Sequence, residues 1–116
     1  MSINSRAKGK RFEREAAKAI TETFGVEARR GIQFKGGDQS PDIITGITGV
    51  HFEVKAVEKL NLMEAFEQAK RDAGTNVPIV MHKKNRTGWF LTMRLEDVKS
   101  FIESVENAET TTCSSL

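Results

Sequence analysis

Three charged residues in the middle of the sequence have the types and spacing that metal-assisted chemistry requires. Asp42 follows Ser40-Pro41, and eleven residues after it comes the run Glu53-Val54-Lys55. Carboxylate oxygens suit Mg²⁺, which uses one or two protein carboxylates and keeps several waters. A lysine beside such an ion can orient or deprotonate a water for attack on phosphorus. The segment therefore points to phosphodiester hydrolysis, although the same residues at this spacing also occur by chance on surface strands.

The strand pattern around these residues predicts that they converge. Strands are predicted over residues 42–45 and 50–57, joined as a hairpin by a turn at Gly46-Ile-Thr-Gly49. Alternate side chains share a face, so Glu53 and Lys55 should lie together. Antiparallel pairing of the two strands would bring Asp42 beside them. Two adjacent carboxylates repel each other and lose hydration, a conflict that a bound cation removes.

The first predicted helix adds a third carboxylate. Apolar residues recur every fourth position over 11–24, and Gly25 should end the helix. Glu13 falls inside the apolar arc of this helix. Interior charges are paired or bound to metal, so Glu13 either has a basic partner or belongs to the metal site. Arg14 could reach a phosphate as a bidentate donor, or it could be a solvated arginine.

The remaining pattern predicts a single α/β domain over residues 1–107, with a disordered polar tail over 108–116. Residues 29–41 are rich in turn formers and are predicted as a flexible loop, with brief pairing possible over 32–34. The order is helix, hairpin, helix, hairpin, helix around one mixed sheet. The later elements are a helix over 62–73 with Asn61 and Glu64 as a capping box, strands over 78–82 and 89–94, and a helix over 95–105 with Val98, Phe101, Ile102 and Val105 facing inward.

Composition favours a soluble, cytoplasmic protein that binds nucleic acid. The sequence has no apolar run of the roughly 18 residues that span a bilayer, no secretory signal pattern and a single cysteine. Residues 1–35 hold nine Lys and Arg against four Asp and Glu, which suits a surface that neutralises phosphates, although a solvated helix face explains it equally well. The predicted DNA contacts in this part are Lys8, Lys10, Arg11, Arg14, Arg29, Arg30 and Lys35.

Four ordered motifs resemble the archaeal-type Holliday-junction resolvases of the PD-(D/E)XK nuclease superfamily. The motifs are Lys8-Gly9, Phe12-Glu13-Arg14-Glu15, Pro41-Asp42 and Glu53-Val54-Lys55, and the likeness continues through Pro78 to Met93. The resemblance implies a restriction-endonuclease-like core, a central mixed sheet flanked by helices. It also implies a homodimer that cuts two strands of a four-way junction symmetrically, with roles in DNA recombination and repair.

The resemblance further implies a role for each matching residue. Asp42 and Glu53 would bind Mg²⁺, or Mn²⁺ in its place, Lys55 would assist the water, Glu13 would support the metal site, and Arg14 would contact DNA. Val54 is included in the predicted metal set. Ser40 is a further predicted DNA contact, because family members carry a serine in the loop before the metal aspartate, and Gln68 is a further candidate near the site.

Other functions remain open at this stage. The same core could serve a repair or restriction-like endonuclease. A catalytically idle DNA-binding module would use the same basic residues, and a protein-interaction domain would show no salt-sensitive DNA binding. His51 shares the predicted face of Glu53, but a lone histidine near a Mg²⁺ site is more often hydrogen-bonded than a ligand, so neither His51 nor His82 is assigned a role.

Overall fold

The computed structural model describes residues 5–31, 42–56, 59–83 and 87–108, with the side chains of residues 5–9 outside that description. Helices and strands alternate along these ranges. They are α1 (Ser5–Phe24), β1 (Ala28–Arg30), β2 (Ile43–Thr45), β3 (Val50–Lys55), α2 (Leu62–Ala73), β4 (Val77–His82), β5 (Phe90–Thr92), a 3-10 turn (Leu95–Asp97) and α3 (Val98–Asn107).

Helix α1 begins at Ser5, six residues before its predicted start. The added turns are polar and basic, so no apolar period marks them in the sequence, but Arg, Ala and Lys are good helix formers. Ala16 and Ile20 are buried, as the predicted apolar face requires. The helix ends where predicted, at Gly25, which has a φ of +71° and donates its N–H to the Thr21 carbonyl at 2.9 Å.

The central sheet is mixed and has the strand order β3-β4-β5. Strands β3 and β4 run parallel, with Phe52 opposite Ile79 and Lys55 opposite His82. Parallel neighbours need a long crossover, and α2 supplies it. Strand β5 pairs antiparallel with the end of β4, which confirms the predicted second hairpin.

The predicted first hairpin is wrong. Strand β2 pairs antiparallel with β1 and not with β3, so that Ala28 lies opposite Thr45 and Arg30 opposite Ile43. Residues 28–30, of which 29 and 30 were predicted as loop, are therefore a strand. The glycine spacing at Gly46 and Gly49 suits a hairpin. One edge of β3 instead pairs with β4, and the other edge donates a hydrogen bond to the side chain of Asp42. Residues 32–41, with the predicted pairing over 32–34 and the positions of Lys35 and Ser40, lie outside the described ranges.

Two apolar cores cover the two faces of the central sheet. The main core includes Ala16 and Ile20 of α1, Phe52 and Phe101. The second core places α2 against Val80 through Ala65, Phe66 and Ala69. An α/β fold with a mixed sheet flanked by helices, as predicted, is confirmed. No described helix combines the length and the apolar character needed to cross a bilayer.

Helix α3 differs from its prediction over residues 95–105 in its bounds and in one inward residue, because Leu95–Asp97 form a 3-10 turn and the helix continues to Asn107. Phe101 is buried and meets the rings of Phe24 and Phe52 edge-on, with centroids 5.7 and 6.4 Å away. Ile102 was predicted to face inward but is 49% exposed. Neighbouring residues of a helix differ by 100°, so a helix that centres Phe101 on the core turns Ile102 towards its margin. Ala108, the first residue of the predicted tail, packs against the main core, and residues 109–116 lie outside the described ranges.

Candidate active site

Asp42 lies at the edge of β3 that pairs with no strand in the described ranges, although β2 and β3 do not pair as strands. Its Oδ2 accepts a hydrogen bond of 2.9 Å from the backbone N–H of Val54. A carboxylate thus occupies the position that a neighbouring strand would otherwise take. The Val54 side chain packs against the main core, so only its backbone can face the site. The predicted approach of Asp42 to the second half of β3 is present, but a side chain brings it about.

Glu53 is buried, and its two carboxylate oxygens have different neighbours. Oε1 lies 3.2 Å from Nε2 of His51, and Oε2 lies 3.7 Å from Nζ of Lys55. Lys55 Nζ also lies 3.5 Å from Oε1 of Gln68 on α2, a long contact for a hydrogen bond. Glu53 and Lys55 therefore meet on one face of β3, as strand alternation predicts, and Gln68 reaches the same place.

The carboxylates of Asp42 and Glu53 are close enough to repel each other. Burial, and after it the negative charge of Glu53, raise the pKa of Asp42 from 3.8 to about 6. The hydrogen bond from Val54 opposes this shift, and the charge of Glu13 adds to it. Two carboxylates that are partly buried and repel each other form a place where a cation is favoured.

Glu13 has a basic partner. Nε of Arg30, on β1, donates to Oε1 of Glu13 at 3.2 Å, and about a quarter of each side chain is exposed. Burial raises the pKa of Glu13, and the adjacent Arg30 lowers it by less, while the charge of Glu53 raises it again. The sequence left two interpretations of Glu13 open, a basic partner or a place in the metal site. The structure shows the basic partner, Arg30, and Glu13 is also close enough to Glu53 for their charges to interact.

The tightest group of potential metal ligands differs from the predicted one. Among the described residues, the group whose ligand atoms all lie within 4.8 Å of one another is His51, Glu53 and Asp72. Glu13, Asp42 and Glu53 are close enough to repel one another but do not form such a group. The hard oxygen donors of Asp42 and Glu53 nevertheless fit Mg²⁺, which needs one or two carboxylates and completes its shell with water.

The sequence matches the protein family described as "Phage putative PDDEXK endonuclease" over residues 4–115. The chain belongs to this family. The match includes every described helix and strand, and thus all of the elements that hold the site. The match confirms that the chain is a member of the PD-(D/E)XK superfamily, with a restriction-endonuclease-like fold and in the endonuclease class.

A solved structure is also similar to this PDDEXK family member. It is Hjc, a Holliday junction resolvase from the archaeal hyperthermophile Archaeoglobus fulgidus, with a TM-score of 0.49 and 26% sequence identity, covering 74% of this chain and 72% of that chain. The comparison with curated proteins found no match.

The predicted DNA contacts of this PDDEXK protein fall into three groups. Lys10, Arg11, Arg14 and Arg29 are exposed, and the ion pair of Arg11 with Glu15 is a long surface contact of 3.9 Å. Arg30 instead holds Glu13. The side chain of Lys8, and Lys35 and Ser40 as a whole, lie outside the described part of the chain.

Sequence reasoning left out two residues of the tight ligand group. His51 alternates with Glu53 on β3, and this spacing is a signal that the sequence carries. Asp72 lies one helical turn after Gln68 on α2, and no local pattern shows which face of α2 meets β3. The i,i+4 spacing of Gln68 and Asp72 becomes informative only once one of them is known to contact the strand.

The raised pKa of Asp42 predicts a pH-dependent stability in metal-free protein. Because the folded carboxyl keeps its proton up to about pH 6 while the unfolded one loses it near pH 3.8, the free energy of unfolding falls as the pH rises from about 3.8 to about 6 and is constant outside that range. The full cost is up to about 3 kcal/mol. Urea unfolding of wild type and Asp42→Asn at pH 4 and pH 7, with EDTA present, should show the variant gaining relative stability at pH 7. An unchanged difference between the two proteins would contradict the shift.

Proposed function

We propose that this PDDEXK protein is a Mg²⁺-dependent endonuclease that hydrolyses phosphodiester bonds in branched DNA, with four-way junctions as the preferred substrate. Family membership gives the endonuclease class, and the metal and the substrate are the proposal. The observation that carries it is the pair of mutually repelling, partly buried carboxylates of Asp42 and Glu53 with Lys55 beside them. This is the arrangement that a hydrolytic metal site needs.

Asp42 and Glu53 would hold the ion, with Glu13 and the Val54 backbone in support. Mg²⁺ bound there would supply activation of the water nucleophile and charge neutralisation at the phosphate. Lys55 is restrained by Glu53 and Gln68, so that its ammonium can hydrogen-bond the attacking water and orient it. The water oxygen forms the new bond to phosphorus as one bridging P–O bond breaks, and the released proton passes to the leaving oxygen. Mn²⁺ accepts similar oxygen ligands.

The basic side chains support DNA as the substrate. Lys10, Arg11 and Arg14 are exposed on α1, and Arg29 is exposed on β1. The same two elements hold Glu13 and Arg30, so these cations belong to the elements that border the site. Contacts to phosphate position a duplex without reading its bases, which suits recognition of DNA shape.

Junction selectivity, a homodimer, roles in recombination and repair, and a cytoplasmic location belong to the same proposal. The ordered sequence motifs support the first two, since the resolvases that they resemble cut two strands symmetrically. Strand β5, at an end of the strand order, also exposes Phe90 and Leu91, which a second copy could cover. A repair or restriction-like endonuclease would use the same core without branch selectivity.

A cleavage assay tests the proposed substrate class. Four-way junction, flap and linear duplex of equal length are incubated with the purified protein in Mg²⁺ or in EDTA. We expect symmetric nicks in the junction, at least about tenfold faster than in duplex, and none in EDTA. Equal cutting of duplex would favour a restriction-like enzyme, and salt-sensitive binding without cutting would favour an idle DNA-binding module. Binding that is the same at 50 and 200 mM salt would contradict any DNA-directed function.

A further inference from the structure

We infer that His51, Glu53 and Asp72 form a second divalent-cation site that takes a transition-metal ion with an affinity for nitrogen. The ligand atoms of the three residues lie within 4.8 Å of one another. His51 and Glu53 are only 6% and 7% exposed. The inference goes beyond the proposed nuclease function, because it depends on ion binding alone and not on any reaction with DNA.

Two rigid elements bring these residues together. His51 and Glu53 alternate on β3 and share a face, and Asp72 lies on α2, which packs across that face. One turn earlier on α2, Gln68 contacts Lys55 at the other end of β3. The helix therefore runs antiparallel to the strand, with Gln68 near Lys55 and Asp72 near His51. Ligands on a helix and a strand are held more precisely than ligands on loops.

The donors determine which kind of ion the site prefers. One imidazole nitrogen with two carboxylates suits Mn²⁺ or Zn²⁺, whereas Mg²⁺ prefers oxygen donors alone. His51 Nε2 and Glu53 Oε1 are 3.2 Å apart, about the spacing of two ligands on one ion. A change of rotamer at the partly exposed Asp72 is the movement that would complete the group.

Glu53 belongs to both sites through different oxygens. Oε1 faces His51, while Oε2 faces Lys55 in the proposed Mg²⁺ site. An ion held by His51 and Asp72 would bind Oε1 and leave Oε2 for the ion beside Asp42. The second ion would thus fix the orientation of the carboxylate that the reaction uses.

Pulsed electron paramagnetic resonance with Mn²⁺ tests the site in the full chain without DNA. The nitrogen of a coordinated imidazole gives a hyperfine signal on bound Mn²⁺. The sequence has two histidines, so His82→Gln is a matched control for His51→Gln. We expect the nitrogen signal in wild type, in His82→Gln and in Asp42→Asn, and its loss in His51→Gln. Persistence of the signal in His51→Gln, its loss in His82→Gln or its absence from saturated wild type would overturn the site.

A second variant keeps the test decisive if His51→Gln does not fold, as judged by circular dichroism. Asp72→Asn changes a partly exposed residue and retains the imidazole. Its affinity for Mn²⁺, measured by titrating the nitrogen signal, should fall at least about tenfold. Wild-type affinity in Asp72→Asn would exclude the three-ligand site. If the nitrogen signal is absent while wild type still cuts DNA with Mg²⁺, this inference fails and the proposed function stands.

Discussion

Asp42→Asn is expected to reduce Mg²⁺-dependent DNA cleavage at least about 100-fold while leaving DNA binding intact. The substitution removes the negative charge that a divalent ion needs. It preserves a side-chain oxygen that can still accept the N–H of Val54, which now donates to Asp42 Oδ2 at 2.9 Å. The edge of β3 should therefore keep its shape. The exposed basic residues of α1 and β1 are unchanged, so the grip on phosphates should persist.

Single-turnover cleavage and electrophoretic mobility shift separate these two effects. The matched control is Asp97→Asn, because the Asp97 carboxylate accepts from Nε of Arg94 at 2.9 Å and is part of neither metal site. We expect the control to cut within about twofold of wild type, since it leaves the metal ligands in place. Cleavage by Asp42→Asn at the rate of the control would remove Asp42 from the reaction.

Phe52→Ala is expected to lower the free energy of unfolding by about 3 to 5 kcal/mol. The Phe52 ring is fully buried in the main core and meets Phe101 edge-on at 6.4 Å. Its removal deletes apolar burial and leaves a cavity that the surrounding strands and helices cannot close. Phe52 is next to Glu53 in β3, so a loss of structure in this strand would also displace Glu53 and Lys55.

Urea unfolding measures this cost, with Phe90→Ala as the matched control. Phe90 is 55% exposed on β5, so the same substitution there should cost less than about 1 kcal/mol. Similar losses in the two variants would contradict the difference in burial between the two rings. A loss below about 1 kcal/mol in Phe52→Ala would contradict the burial of its ring.

The sequence predicts an element well when both ends of that element are determined locally. Helix α2 has its predicted bounds because the Asn61 side chain accepts the N–H of Glu64 at 3.1 Å and Gly74 follows with a φ of +62°. These signals lie within a few residues of the helix and need no tertiary contact. The hairpin of β4 and β5 is equally local.

Strand pairing across a distance is not determined in this way. The glycines at 46 and 49 fit a hairpin, and nothing nearby shows that β3 would instead pair with β4 beyond α2. That choice depends on burying Phe52 and Ile79 on one face and Val80 on the other. Asp42 still lies beside β3, because its side chain accepts a hydrogen bond from the edge of the strand opposite β4.

The same distinction between local and long-range contacts applies to the candidate site. Strand alternation alone places Glu53, Lys55 and His51 on one face. The partner of Glu13 required knowing that Arg30 lies on a strand packed against α1, where the sequence indicated a loop. Asp72 joins His51 only because α2 packs on β3. Contacts within an element could therefore be read from the sequence, while contacts between elements needed the fold.

Anomalous diffraction from a crystal of the DNA-bound protein soaked in Mn²⁺ would show whether Asp42 and Glu53 share one metal ion. We expect a peak about 2.1 Å from a carboxylate oxygen of Asp42 and from one of Glu53, at the phosphate to be cut. A complex in which Mn²⁺ binds that phosphate without either carboxylate would contradict it.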